Sequence, residues 1–118
     1  MELVLGYWQI VAVRFLNLDQ QWESEELIGG SAIVTRSGEI TIFTRTTELA
    51  FAYCGKYTIK GNDFVIVPNA CSIPELENTT LIRTITSVTK DAATLKMFDE
   101  PSGRHYEMDF KILTREFV

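Results

Sequence analysis

Few residues of this chain have the side-chain types and the spacing that acid–base or nucleophilic chemistry requires. The best group is His105, Glu107 and Asp109, whose spacing of two places them on one face of a predicted strand. That face is opposite to the apolar face of the same strand, which carries Tyr106, Met108, Phe110 and Ile112. We therefore expect solvent around the three polar groups, and a surface role in preference to catalysis.

Neither the cysteines nor the acidic residues form a reactive or metal-binding pattern. Cys54 and Cys71 are not at CxxC spacing and have no histidine near them in sequence, so reduced, unreactive thiols are expected. The cluster of Glu23, Glu25 and Glu26 is interpreted as a solvated surface. The sequence thus predicts no catalytic residue, no metal site and no cofactor.

Arg83 is the charged residue that the sequence places inside the protein. It shares one face of a predicted strand with Leu81 and Ile85. An isolated guanidinium in the interior is very costly, so this group must be paired or hydrated. Two interpretations stay open: a structural hydrogen bond to tyrosine hydroxyls, or a bidentate contact to a ligand carboxylate or enolate. Arg14, at the far end of its strand, is interpreted as a surface residue in preference to a residue of the barrel mouth.

Composition excludes several classes of partner. The net charge is −5, the pI is about 4.8 and the eleven basic residues are scattered, so the basic patch of a nucleic-acid-binding protein is missing. The apolar start of the chain carries Glu2, Gln9 and Arg14 and lacks a basic leading segment, so neither a signal peptide nor a membrane span is expected. We expect one domain over residues 1–118, located in the cytoplasm, with no nucleic-acid and no membrane partner.

A predicted β-hairpin at the centre of the chain positions many of these side chains. Two alternating runs between Tyr53 and Pro68 meet at Gly61-Asn62, a pair suited to the positive φ angles of a tight turn. If Gly61 and Asn62 form the loop, Lys60 pairs with Asp63, and the residues before Lys60 pair in turn with the residues after Asp63. The inward face is formed by one glycine and by aromatic and apolar side chains: Tyr53, Gly55, Tyr57, Ile59, Phe64 and Ile66.

Six further alternating runs bring the total to eight strands. They span residues 7–15, 31–36, 39–45, 80–89, 93–98 and 104–114. The turn between the second and third strands allows two registers, with Ile33 facing Ile42 or Val34 facing Ile40. Short connections between sequential strands favour an all-β, eight-stranded antiparallel up-and-down barrel over a sandwich, because closure removes unpaired edges.

Two segments predict contacts outside the barrel wall. Residues 17–27 are polar and acidic around one large apolar side chain, Trp22, and are expected to form a long loop or a short helix over one barrel mouth. The first strand predicts a homodimer because its outer face exposes a patch of three apolar side chains, Val11, Val13 and Phe15.

Several of these residues also form the pattern of a known barrel family. The chain has Gly6-Tyr7-Trp8 on its first strand, Tyr53, Gly55, Tyr57 and Ile59 on its fourth, and Arg83 on its sixth. This GxW, YxGxYxI and arginine order resembles the lipocalin-like barrels of the calycin superfamily, especially their small bacterial intracellular members. The resemblance covers the whole chain, but the TDY-type loop and the signal peptide of secreted lipocalins are missing, so transport between cells does not carry over. It implies that Trp8 lies inside one end of the barrel and that Arg115 packs across it as a structural partner.

The expected ligand site is the barrel interior. The inward side chains predicted to line it are Tyr53, Tyr57, Phe64, Arg83, Met97, Tyr106 and Phe110. These groups either fill the barrel as a core or bind a small, largely apolar molecule, with or without an anionic group. In the binding interpretation, the three tyrosines and Arg83 converge on one cavity. Two alternatives stay open: a cofactor-free cyclase or isomerase, which the resemblance implies, and an interaction or dimerisation module without a ligand. The sequence does not distinguish an enzyme from a binding protein.

Overall fold

The described residues of the computed structural model are 4–99 and 102–115. Within them the chain forms nine strands, and a short 3-10 helix (Pro74–Leu76) lies between the sixth and the seventh. The strands are β1 (Gly6–Leu16), β2 (Trp22–Ser24), β3 (Leu27–Val34), β4 (Glu39–Thr46), β5 (Ala50–Lys60), β6 (Asp63–Cys71), β7 (Leu81–Val88), β8 (Ala92–Asp99) and β9 (Arg104–Thr114). β3 and β5 begin earlier in the sequence than predicted. Their first residues pair with β4 through the backbone although their side chains do not alternate between polar and apolar.

Eight of these strands close into an antiparallel up-and-down barrel, which confirms the predicted fold. β1 pairs with β3, the strands from β3 to β9 pair in the order in which they follow one another, and the pairing of β1 with β9 closes the sheet. Because sequential strands alternate in direction, the connections after β3, β5 and β7 share one end, called the lower end. The connections after β1, β4, β6 and β8 share the other, called the upper end.

The central hairpin has the predicted register. Lys60 pairs with Asp63, and the ladder continues to Tyr57 opposite Ile66. Gly61 has a φ of 62°, a left-handed conformation that glycine adopts without steric cost. The inward face of both strands is therefore the one that the alternation predicts.

Two glycines set the geometry of the neighbouring strands. Val34 pairs with Ile40, and Gly38 in the turn between them has a φ of 90°, so the longer of the two predicted turns is the one that forms. At Gly55 the backbone of β6 approaches so closely that a Cβ atom would overlap the Val67 carbonyl oxygen. A side chain at this position would force β5 and β6 apart.

A β-bulge in β1 overturns the prediction for the outer face of this strand. The register to β9 shifts between Ile10 and Ala12, so residues beyond this point exchange faces. Val13 is 1% exposed and belongs to the core, and Phe15 packs against the same core. Of the three patch residues only Val11 stays exposed. The apolar patch does not form, and the homodimer predicted from it stays a prediction without that support.

The segment between β1 and β3 differs from the predicted loop or short helix. β2 pairs with the end of β1, with Leu16 opposite Trp22. The turn between them is closed by Asn17, whose side-chain oxygen accepts hydrogen bonds from the backbone N–H groups of Asp19 and Gln21. The segment is therefore a short two-stranded extension of the wall at the upper end, called the β1–β2 hairpin.

Trp8 lies at the centre of the core in the lower half of the barrel. Its side chain is 0% exposed, and its ring lies edge-on to Phe110 and Phe64, with centroid distances of 5.2 and 6.2 Å. The predicted burial of Trp8 is confirmed. Arg115 donates a hydrogen bond to the carbonyl oxygen of Lys90 at 2.7 Å, and its packing across Trp8 stays a prediction.

Replacing Trp8 by alanine is expected to lower the free energy of unfolding by about 3–5 kcal/mol, the cost typical of truncating a large buried aromatic. Denaturant unfolding measures the change. Trp22→Ala is the matched control, because Trp22 is 41% exposed and outside the core. A loss below about 1 kcal/mol at Trp8 would contradict the packing described above.

Candidate functional site

The barrel wall opens between β7 and β8 towards the upper end. Backbone pairing of these two strands ends with Thr84 opposite Lys96. Beyond this point, residues 81–83 of β7 do not pair with residues 97–99 of β8. Each of these segments pairs only with the strand on its other side. The interrupted ladder leaves a cleft between the two strands.

The cleft has a volume of about 560 Å³, which is in the range of small-molecule sites. Its inner wall is formed by side chains that face the barrel interior: Leu81, Arg83, Met97 and Tyr106. Its rim is formed by outward-facing and hairpin side chains: Leu16, Trp22, Ile82, Lys96, Phe98 and His105. Large apolar groups of this rim are exposed, with 41% for Trp22 and 43% for both Ile82 and Phe98. The cleft is thus largely apolar with one buried cation in its inner wall.

Arg83 is buried without a carboxylate partner. It is 5% exposed, and its Nη1 donates a hydrogen bond to the Ile82 carbonyl oxygen at 3.1 Å. Its guanidinium carbon lies 5.7 Å from the centre of the Tyr53 ring, a cation–π distance. Among the described residues, no ion pair within 4.0 Å includes Arg83. Most of its N–H donors are therefore available to water or to a ligand.

A much smaller cavity lies on the interior side of Arg83. Its volume is about 10 Å³, which is room for one water molecule. Three polar side chains line it, Thr44, Tyr53 and Arg83, and its other walls are apolar: Ile42, Phe51, Leu95, Met97 and Met108. The Tyr53 hydroxyl is buried and forms no hydrogen bond of good geometry in the part of the chain that the structure describes, but the neighbouring Arg83 guanidinium offsets part of the rise that burial causes in its pKa. Arg83 and Met97 line both spaces, so they separate the small cavity from the cleft.

The predicted convergence of three tyrosines and Arg83 on one cavity is only partly correct. Tyr53 lines the small cavity and Tyr106 lines the cleft. Tyr57 lines neither, because it lies near the lower end, where its hydroxyl donates to the Thr35 carbonyl oxygen at 2.6 Å. Burial raises the pKa of all three tyrosine hydroxyls. They are therefore protonated hydrogen-bond donors at neutral pH.

Two other predicted site residues belong to the core. Phe64 and Phe110 are 0% and 1% exposed, and both pack against Trp8. They line neither the cleft nor the small cavity. Met97 lines both spaces, as its inward position predicts. Alternation thus identifies interior side chains but does not distinguish the core from a site.

Glu25 is the polar residue that sequence reasoning missed. The acidic cluster predicts a solvated side chain, but the Glu25 side chain is 2% exposed. Its carboxylate accepts a hydrogen bond from Thr46 Oγ1 at 2.6 Å and a long one from the Tyr106 hydroxyl at 3.5 Å, and Arg104 Nη1 lies 3.9 Å away. No local pattern signals these contacts, because Thr46 and Tyr106 are 21 and 81 positions away in sequence. They fix the β1–β2 hairpin beside the cleft.

The polar face of β9 forms an ion-pair cluster. The bulge turns Arg14 outward, where its guanidinium contacts the Glu107 carboxylate. It also makes a bidentate ion pair with Asp109, with 2.7 Å between Nη1 and Oδ2. Thr94 also donates to Asp109, at 2.8 Å, and His105 is exposed. The outward position of this face is confirmed, but the two carboxylates are half-buried and paired with Arg14 instead of merely solvated.

This cluster predicts how stability depends on pH. The hydrogen bond from Arg14 lowers the pKa of Asp109. Because the folded pKa is below the unfolded one, the paired carboxylate stabilises the fold above about pH 4, and this contribution is lost as the pH falls through the folded pKa. The free energy of unfolding should therefore fall less steeply on acidification in Asp109→Asn than in the wild type.

Urea unfolding between about pH 2 and pH 6 measures this difference. Asp91→Asn, which changes an exposed carboxylate in a turn, is the matched control and should keep the wild-type slope. An unchanged slope in Asp109→Asn would show that the ion pair contributes nothing to acid stability.

Other kinds of site receive no support. Within residues 4–99 and 102–115, no three His, Cys, Asp or Glu side chains are grouped in a way that could hold a metal ion. Cys54 and Cys71 are free thiols. In the same ranges, no helix has the length and apolarity needed to cross a membrane.

Comparison with known proteins does not assign this chain to a family. No protein-family model matches it, and no curated protein matches its sequence. Inference about function therefore depends on the cleft and on Arg83.

Proposed function

We propose that the protein binds a small, largely apolar molecule with an anionic group in the cleft between β7 and β8. The anionic group contacts Arg83 in the inner wall, and the apolar part packs against Met97 and the rim residues Trp22 and Phe98. The sequence predicts this ligand in the barrel interior. We place it beside the interior because core side chains occupy most of that space.

The burial of Arg83 next to an open space is the observation that supports this proposal most. Arg83 as a whole residue is 5% exposed, and removing an ion from water costs several kcal/mol unless other groups compensate. The Ile82 carbonyl oxygen accepts from it, and the Tyr53 hydroxyl lies beside it, so its other N–H groups find acceptors in water or in a ligand. A carboxylate could accept two parallel hydrogen bonds from the guanidinium, which is the strongest arrangement available to it.

The rim of the cleft supports an apolar partner. Trp22, Ile82 and Phe98 expose large apolar groups around one opening, and covering such surface contributes roughly 25 cal/mol for each Å² removed from water. The ammonium group of Lys96 lies 5.8 Å from the centre of the Trp22 ring, so the hairpin and β8 are in contact across the rim. A ligand there would be held between the hairpin and the two strands.

The resemblance to lipocalin-like barrels supports the same function. The eight-stranded barrel and the buried Trp8 agree with a member of the calycin superfamily, where ligand binding is common. Because one fold hosts many functions, the resemblance supports the class of function and the cleft supports the position. A cytoplasmic location, expected from composition, is part of the proposal.

The affinity for an apolar anion should depend on Arg83. We expect Arg83→Met to weaken binding of 1-anilinonaphthalene-8-sulfonate at least tenfold, because the sulfonate loses its cation. Binding of the neutral analogue N-phenyl-1-naphthylamine should change much less. Fluorescence titration of both probes measures the two affinities, and native mass spectrometry of protein from its own host would show the natural ligand.

Arg45→Met is the matched control, because Arg45 is an exposed cation on the outside of β4. It should leave both affinities unchanged. Phe98→Ser should weaken both probes, since it removes apolar surface from the rim. If Arg83→Met bound both probes with wild-type affinity, the anion-binding role of Arg83 would be wrong.

Catalysis in the same cleft is a second candidate, favoured by one observation. The buried Glu25 carboxylate lies 3.5 Å from the hydroxyl of Tyr106, which lines the cleft. A carboxylate and a phenol in contact could move a proton within a bound molecule, as an isomerase requires. A bound molecule recovered chemically unchanged after prolonged incubation would favour binding alone.

A further inference from the structure

Aromatic side chains from three strands meet at the rim of the cleft. Trp22 of β2, Phe98 of β8 and His105 of β9 all line it, and all three side chains are exposed. Elements that are distant in sequence thus bring three rings to one opening. The kind of molecule that packs best against such a rim follows from the contacts of these rings and from the shape of the cleft.

Contacts within the protein hold the rings of the rim in place. Phe98 and His105 are cross-strand partners, and their rings pack with 4.9 Å between centroids and 55° between planes. The ammonium group of Lys96 lies 5.8 Å from the centre of the Trp22 ring, a cation–π distance. Side chains that are already supported in this way lose little further freedom when a ligand packs against them. The rim therefore presents aromatic surface before any ligand binds.

The barrel interior offers no room for a long alkyl chain. Core side chains fill the lower half around Trp8. In the part of the barrel that the structure describes, the space on the interior side of Arg83 has a volume of about 10 Å³, room for one water molecule. A long chain bound in the cleft would leave much of its length in solvent and would lose rotational freedom where it is ordered. A compact and rigid molecule avoids both costs.

The position of Arg83 limits the distance between the anionic group and the apolar part of the ligand. Arg83 faces the interior and Ile82, the residue before it, faces outward, and both line the cleft. The cleft therefore crosses a single layer of sheet, so an anion on Arg83 lies close to the rim. Among the described residues that line the cleft, none is Asp or Glu, although the whole chain has a net charge of −5. This lining favours an acid with a short link between its charged group and its apolar part.

We propose that the apolar part of the ligand is a flat aromatic ring system that carries its carboxylate directly or through a short link. The carboxylate contacts Arg83, and the ring system packs against Trp22 and Phe98. This inference rests on the function proposed for the cleft and adds the chemical class of the ligand. Aromatic pairs are more favourable than their buried area alone accounts for, so an aromatic acid binds more tightly than an alkyl acid of similar size.

Calorimetric titration with two acids of similar size tests this preference. 2-Naphthoate has a flat ring system and decanoate has a flexible chain, and both are carboxylates at neutral pH. The wild type should bind 2-naphthoate at least about fivefold more tightly than decanoate, because ring contacts add to the area buried and no chain has to be ordered. Arg83→Met should weaken the binding of both acids, because both lose the same cation.

Replacing a ring of the rim by an aliphatic side chain isolates the aromatic contribution. Phe98→Leu and Trp22→Leu keep apolar surface at the rim, and each should weaken 2-naphthoate about threefold or more while decanoate stays within about twofold of the wild type. Phe43→Leu is the matched control, because Phe43 is an exposed ring on the outside of β4 that does not line the cleft. It should leave both affinities unchanged. Either rim variant carries the comparison if the other does not fold.

Equal affinities of the wild type for the two acids would refute the aromatic class, and so would a preference for 2-naphthoate that survives in both rim variants. If Arg83→Met still weakened both acids in that case, the cleft would stand as the ligand site, so the two proposals fail separately. Binding of 1-anilinonaphthalene-8-sulfonate that depends on Arg83, with no binding of either acid, would also reject the aromatic carboxylate alone. An affinity for 2-naphthoate that Arg83→Met leaves unchanged would reject both proposals, as would the absence of binding by all three probes.

Discussion

A guanidinium buried without a carboxylate is the constraint on which the proposed ligand site depends. Arg83 faces inward because β7 pairs with β6 in the register that places it opposite Phe64, and the same alternation keeps Leu81 and Ile85 inside. Turning this charge outward would require a register slip that exposes both apolar side chains. The barrel therefore retains a buried cation, and the Tyr53 ring and the Ile82 carbonyl oxygen compensate it in part.

The packed core and the proposed ligand site lie at opposite ends of the barrel axis. The lower half is closed by the packed cluster around Trp8 and holds the fold together. Towards the upper end the ladder between β7 and β8 stops, and the β1–β2 hairpin is fixed beside the opening by the buried Glu25 carboxylate. A well-packed half beside an open half is a common arrangement in proteins, because groups kept for function often cost stability.

The sequence predicts the barrel well because hairpin turns and alternation are local signals. Gly61-Asn62 set the register of β5 and β6, and Gly55 is explained by a close backbone approach. Alternation fails where the backbone departs from a regular strand. After the bulge at Ile10, the side chains of β1 point to the opposite faces. Val13 therefore lies in the core, although regular alternation predicts an outer position.

The candidate site was harder to predict because it depends on contacts between distant segments. The inward positions of Arg83, Met97 and Tyr106 follow from alternation, and all three line the cleft. The cleft itself arises where pairing between β7 and β8 is missing, and no residue type marks that point. Glu25 is buried by partners on β4 and β9, so its neighbours in sequence give no indication of its environment.

The stability of Arg83→Met without ligand tests the central claim most directly. If Arg83 is an uncompensated cation kept for binding, an apolar side chain of similar length should leave the free energy of unfolding within about 1 kcal/mol of the wild type or increase it. Denaturant unfolding of the ligand-free proteins measures this quantity. A loss of more than about 3 kcal/mol would contradict the account, because it would show that the protein already compensates the guanidinium as part of its structure.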